Sequence, residues 1–169
     1  MYGFWHKLET SSRNLMPGLL TLLMILLTVA PRQITGRVDF MPVLVLIAIY
    51  YWGIFRPRLM QYWWVFLLGL LQDALMGMPV GMSSLLFLLF LFLVRWQGRM
   101  YARQSFMSMW FGFALLSATI FLLNWTMMTL FFGRPMVIQT AVIQWIMTAG
   151  IYPFLHQAFN WMYQFLPRK

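Results

Sequence analysis

The raw material for acid–base, metal or thiol chemistry in this 169-residue chain is small: three acidic residues, two histidines and no cysteine. Glu9 and Asp39 fall outside the strongly apolar runs. Asp73 lies inside one, Gly69-Leu-Leu-Gln-Asp73-Ala-Leu-Met-Gly77-Met-Pro79-Val-Gly81. An ionised side chain in a membrane helix costs about 2.5–3.5 kcal/mol on insertion scales, so Asp73 needs a packing or functional reason to be there. His6 and His156 stand 150 residues apart with no second cluster of ligands, which argues against a zinc or iron site. Without cysteine, disulfides and thiolate sites are out. There is no Ser-His-Asp or Cys-His set, because the acids and the one histidine within an apolar run belong to different segments without a nucleophile motif. Nor is there a glycine-rich phosphate loop. No enzyme site is evident, and no cofactor is expected.

The elements that must position Asp73 follow from composition. The chain is 62% hydrophobic and 9% charged, more apolar surface than a soluble domain of this size can hide. Gly, Pro and polar residues divide it into pieces of membrane-spanning length. Runs such as Leu85-Leu-Phe-Leu-Leu-Phe-Leu-Phe-Leu93 lack the alternation of a membrane barrel. The expected class is all-α: a polytopic membrane helical bundle, one domain over residues 1–169. Six spans are expected, at about 15–30, 40–55, 62–76, 80–96, 106–132 and 136–165. The connections between them are too short to hold a compact extramembrane module. Lys7 and Arg13 before the apolar stretch from Leu15 to Ala30 resemble a secretory signal, but Pro31 is a poor residue to follow a cleavage point; the stretch reads as a retained first helix.

The net charge of +9 would suggest nucleic acid in a soluble protein. Here the charges sit at the ends of apolar spans, where they orient the chain and meet anionic lipid headgroups. No basic surface is interleaved with exposed aromatics, so nucleic acid is not an expected partner. With both termini cytoplasmic, the inner side holds nine of the twelve Lys and Arg (Lys7, Arg13, Arg56, Arg58, Arg95, Arg99, Arg103, Arg168, Lys169) and the outer side Arg32, Arg37 and Arg134. The second and third spans are short, which places their aromatic flanks (Tyr50, Tyr51, Trp52, Tyr62, Trp63, Trp64) at headgroup level.

Gly69, Asp73 and Gly77 lie four apart, along one ridge of a helix, and the glycines open a groove on either side of the carboxylate. Gly77, Pro79 and Gly81 predict a tight turn, making the third and fourth helices an antiparallel hairpin. As a structural clasp, Asp73 would accept hydrogen bonds from that turn or pair with Arg134. As a functional group it would carry a proton or bind substrate, although a lone acid makes a poor relay. On the sixth helix Thr140, Gln144, Thr148, Tyr152, His156, Asn160 and Gln164 recur every four residues. Such a row drifts about 40° per step, and its polar groups need partners on other helices, on a partner protein or along a water-lined path. Gly150 and Pro153 interrupt that helix and should kink it. Ser117, Thr119, Asn124 and Thr126 offer interhelical contacts on the fifth, and His156 reads as a hydrogen-bonded structural residue.

Phe40-Met-Pro42-Val-Leu44, then Tyr50-Tyr-Trp52, then Pro57, then Phe66 leading into Gly69, Asp73, Gly77, Pro79 and Gly81 resembles the MreD family of bacterial rod shape-determining membrane proteins. The likeness is concentrated in residues 40–81; the rest agrees in length, span count, basic tail and a late proline, Pro153. The resemblance implies a non-enzymatic scaffold of the complex that elongates the side wall, in the bacterial inner membrane. Its implied partners are MreC, the filament protein MreB, and the peptidoglycan polymerase and transpeptidase. It carries no catalytic residues. The structural and partner candidates are therefore Pro42, Gly69, Asp73, Gly77, Pro79, Gly81, Gln144, Thr148 and His156. The rival is a small-solute transporter, for instance a substrate-binding membrane subunit of the vitamin-uptake type. That reading requires an apolar-walled cavity on which polar groups such as Asp73, Asn124 and Gln144 converge.

Overall fold

The computed structural model describes residues 18–28, 42–101, 105–133 and 137–164, with side chains throughout except at 98–101 and 162–164. Six helices and no strands occur among them: α1 (Gly18–Thr28), α2 (Leu44–Phe55), α3 (Tyr62–Met76), α4 (Met82–Tyr101), α5 (Phe106–Phe132) and α6 (Ile138–Gln164). α5 and α6 are long and apolar enough to cross a membrane; the apolar parts of the other four are shorter.

The bounds of α3 and α5 coincide with the expected spans. Each ends on a glycine in the left-handed region, Gly77 at φ 63° and Gly133 at φ 61°, which is the usual helix-stopping geometry. α2 starts later than expected, at Leu44. Pro42 lacks an N–H and Val43 is non-helical at φ −86°, ψ 80°. α4 starts at Met82 because Gly81 before it takes φ 96°. It then runs past Trp96 to Tyr101, as no proline interrupts that stretch.

α2 is the centre of the bundle, packed against α4, α5 and α6. Every residue from Val45 to Gly53 is buried. A helix apolar on all sides buries all sides: Tyr50, Tyr51 and Trp52, expected as aromatic flanks of the span, do not face outward. They are enclosed among helices, at 1%, 2% and 0% exposure. Tyr50 donates to the Met109 carbonyl at 2.9 Å and meets Phe113 and Tyr152 edge-on at 5.3 and 5.8 Å. Tyr62 and Trp63, by contrast, are exposed. At twelve residues α2 is only about 18 Å long, so its N-terminal amides end inside the protein and need partners. The Val43 N–H finds one in the Thr148 hydroxyl of α6, at 3.1 Å.

α5 and α6 are joined by two indoles. Pro153 lies inside α6, and having no N–H it releases the carbonyl four residues back, that of Ala149. Trp110 of α5 donates to that oxygen at 2.9 Å. In the opposite direction Trp145 of α6 donates to the Ala114 carbonyl of α5 at 3.0 Å. Trp110→Phe should therefore strand the Ala149 carbonyl and destabilise the protein by roughly 1–3 kcal/mol, the range for a buried group left unpaired. Pro153→Ala restores an N–H to the ladder, so the cost of Trp110→Phe should shrink in that background. Thermal unfolding of the four purified variants in detergent measures it; an equal cost in both backgrounds would uncouple the two residues.

Candidate functional site

α3 buries Val65, Leu68, Gly69, Gln72 and Asp73, the spacing of one helical face. Along that face α4 comes very close. A Cβ at Gly69 would lie 2.4 Å from Ser84 Cα and 2.6 Å from Ser84 N, so only glycine allows the approach. The Ser84 hydroxyl donates back to the Phe66 carbonyl at 3.1 Å.

One turn further on, Asp73 is fully buried. Its main-chain carbonyl accepts from the Gly77 N–H and from the Met78 N–H at 3.0 Å, which closes α3 in a Schellman arrangement. Its carboxylate serves the next helix. Oδ2 accepts from the Gly81 N–H at 2.8 Å and Oδ1 from the Ser83 N–H at 3.0 Å. These amides belong to the exposed start of α4, which normally requires a capping residue of its own. Pro79 contributes its carbonyl to the Met82 N–H at 3.2 Å. A Cβ at Gly77 or Gly81 would meet nothing within 4 Å. Their requirement is conformational: φ is 63° and 96°, in the region that favours glycine. Asp73 thus takes its hydrogen bonds from the turn. The alternative partner, Arg134, lies outside the described residues.

The α6 row winds as its spacing predicts. Thr148 and Tyr152 are buried, Thr140, Gln144 and His156 half-buried, and Asn160 exposed; Phe159 replaces Asn160 on the inner face. Thr148 donates to the Gln144 carbonyl at 2.6 Å while accepting from Val43. His156 sits among the rings of Tyr51, Phe55, Phe106 and Tyr152, with Nδ1 3.4 Å from the Tyr152 hydroxyl. On α5, Thr119 and Thr126 are exposed and donate to the carbonyls of Leu115 and Leu122 one turn back. Ser117 likewise bonds Ala114. These three hydroxyls satisfy themselves on their own helix instead of bridging helices.

Two positions carry more than the sequence reading assigned them. Arg95, counted only as an orienting charge, reaches from α4 to the α2–α3 connection. There Nη2 donates to the carbonyls of Pro57, at 2.7 Å, and Met60, and the guanidinium lies 4.4 Å over the Tyr62 ring. An arginine directly after the apolar run that ends at Val94 was the available signal. Gln72 is the second. It lines a cavity of about 610 Å³ to which all six helices contribute, at the bundle end that carries the hairpin turn. Asn124 and Gln144 line it as well. Asp73 is not among its described lining residues, so two of the three polar groups that a transporter would bring together share the cavity and the acid stands apart.

A family model described as rod shape-determining protein MreD matches residues 10–166. The chain belongs to the MreD family. The match extends the likeness seen at residues 40–81 to nearly the whole length, so the Asp73 hairpin, the Arg95 anchor and the cavity all lie within the family region. MreD is a family of rod-shape determination, and the apolar helices of this member fit a membrane protein. No curated protein and no solved structure matches the chain.

The hairpin geometry separates two kinds of glycine. Gly69→Ala drives a Cβ into Ser84 backbone and should destabilise by about 1–3 kcal/mol, the usual cost of overpacking. Gly77→Asn should cost far less than Gly77→Val, since asparagine tolerates the left-handed region and space is open. Thermal midpoints of the three variants in detergent test this ordering; a Gly69→Ala protein as stable as the parent would contradict the close approach.

Proposed function

We propose that this MreD-family chain is a non-enzymatic scaffold of the bacterial cell-elongation complex, contributing to rod shape and side-wall peptidoglycan synthesis. In this reading it is one six-span domain in the inner membrane with both termini cytoplasmic. It contacts MreC, the polymerase and transpeptidase of the complex, and MreB directly or through them. The family match over residues 10–166 carries the reading. The use of Asp73 supports it: both carboxylate oxygens are engaged by main-chain amides of the hairpin, an arrangement suited to holding two helices. The outward faces of α5 and α6 also support it. They expose large apolar side chains such as Leu130 and Phe154, both 77% exposed, available to lipid and to partner helices. In this reading the Arg56, Arg58 and Arg95 end faces the cytoplasm, which the resulting nine-to-three excess of basic residues on that side supports.

The transporter reading keeps one observation, the shared cavity wall of Asn124 and Gln144. Affinity purification of the tagged chain from native membranes in mild detergent separates the two. Recovery of MreC with wall-elongation enzymes is expected, and recovery with an ATPase module would favour transport instead. Asp73→Asn keeps the shape but replaces one acceptor by a donor facing an N–H. It should reduce complex recovery several-fold while membrane insertion stays near the parent level. Normal recovery from that variant would count against the hairpin as the element that holds the scaffold in its partner-binding form.

A further inference from the structure

The two sides of the bundle differ in apolar height. The start of α4 and the later half of α5 line one cavity, so the two helices run antiparallel, and Phe90 of α4 meets Phe113 of α5 with ring centroids 6.4 Å apart. Measured from that contact at 1.5 Å per residue, the Arg95 end is flush: Arg95 lies about 8 Å along α4, and Phe106, the first residue of α5, about 10 Å along α5. The hairpin end is stepped. α4 begins at Met82, about 12 Å away, whereas α5 continues to Phe132, about 28 Å away. The average tilt of a membrane helix, about 20°, takes only about 2 Å from that rise. With one end flush and the other stepped, no tilt of the whole protein levels both.

Both sides are apolar over their full height. Leu67 of α3 and Leu85 and Phe92 of α4 are exposed on the short side, and Leu115, Leu122 and Leu130 of α5 on the tall one. Polar groups bound the short side. At one end Arg95 holds the carbonyls of Pro57 and Met60. At the other, the last carbonyls of α3 beyond Asp73 have no partner within their own helix and require water or headgroups. Met82 and Arg95 are about 20 Å apart along α4, against about 30 Å for the hydrocarbon core of a bilayer. A helix side too short for the bilayer draws the two boundaries together.

We propose that the outward face of the α3–α4 hairpin is a lipid-contact surface that selects phospholipids with short acyl chains and thins the bilayer beside it, while α5 faces bilayer of full thickness. The proposal rests on the membrane-spanning reading above and is independent of which proteins the chain contacts. The chain contains no cysteine, so one introduced thiol carries one label. A nitrobenzoxadiazole fluorophore is attached singly at Leu67→Cys or Phe92→Cys on the hairpin, and at Leu115→Cys or Leu122→Cys on α5. Each full-length protein is reconstituted in dioleoyl phosphatidylcholine mixed with one phosphatidylcholine brominated across its double bonds, dimyristoleoyl or dierucoyl. Quenching reports which lipid touches the label. Hairpin labels should be quenched at least two-fold more by the short lipid than by the long one, and α5 labels equally by both or more by the long one. The same chain-length preference on both sides would overturn the proposal. So would quenching on α5 with none on the hairpin, which would assign that face to a protein contact such as a second copy. Absence of quenching at all four positions would instead refute the membrane-spanning reading. Val80→Cys, in the exposed turn, should react with a charged, water-soluble maleimide to the same extent in vesicles of either unbrominated lipid. Protection in the long lipid would mean that the turn sinks while the bilayer keeps its thickness, and would also overturn the proposal.

Discussion

Asp73 joins two helices at once, and the rest of the bundle depends on it. Its carbonyl terminates α3 and its carboxylate begins α4. A carboxylate at a helix N-terminus faces the positive end of the peptide dipoles, and its hydrogen bonds are the stronger, charge-assisted kind. Together these effects offset the few kcal/mol that an acid costs in an apolar span. They act only if the chain reverses within one short turn, which requires the positive φ of Gly77 and Gly81, and only if the helices touch, which requires the bare Cα of Gly69. Because α4 in turn packs on α2 and α5, any change in how α3 meets α4 propagates to the centre.

The same logic of satisfying main-chain groups recurs wherever a helix is irregular. α2 ends inside the protein, and Thr148 takes its first amide. α6 contains a proline, and Trp110 takes the carbonyl it releases. The α2–α3 connection exposes carbonyls, and Arg95 takes two of them. In each case the partner comes from a different helix, so a local defect becomes a tertiary contact. In lipid, where water cannot substitute, this is the form that specificity takes. α4 is thereby held at both ends, by a carboxylate of α3 at its start and through its own guanidinium near its finish.

How much of this could be read beforehand depended on whether the signal was local. The hairpin was legible because its requirements lie within Gly69 to Gly81: four-residue spacing, one acid and two turn glycines. The ends of α3 and α5 were legible because Gly77 and Gly133 stop them. The central place of α2 was harder. Its aromatic trio looks like a set of flanking rings by composition, and only the packing of α4, α5 and α6 around it shows that the rings are enclosed by protein. Helix-long apolarity on all sides was the available clue. Thr119 and Thr126 misled for a related reason: a hydroxyl in an apolar helix has a ready acceptor one turn back and needs no neighbour. Arg95 was visible as a charge, but its acceptors are Pro57 and Met60, distant in sequence. Their carbonyls could not be assigned to it without the fold.

Gln72 and Asp73 are consecutive, and that adjacency ties the cavity to the clasp. Successive residues of a helix point about 100° apart, so when the carboxylate is fixed on Gly81 and Ser83, the neighbouring amide is aimed as well. Gln72 is also among the residues that line the space to which α5 and α6 contribute. The hairpin therefore sets more than the angle between two helices; it also fixes the part of the cavity wall that α3 supplies. A molecule filling the cavity would touch α4 through Leu86 and Phe87 and α5 through Ile120 and Phe121, linking the hairpin to the pair of long helices whose outer faces are open. A scaffold built this way would have its partner-facing helices and its clasp held against one shared interior surface, so that whatever occupies that surface bears on both.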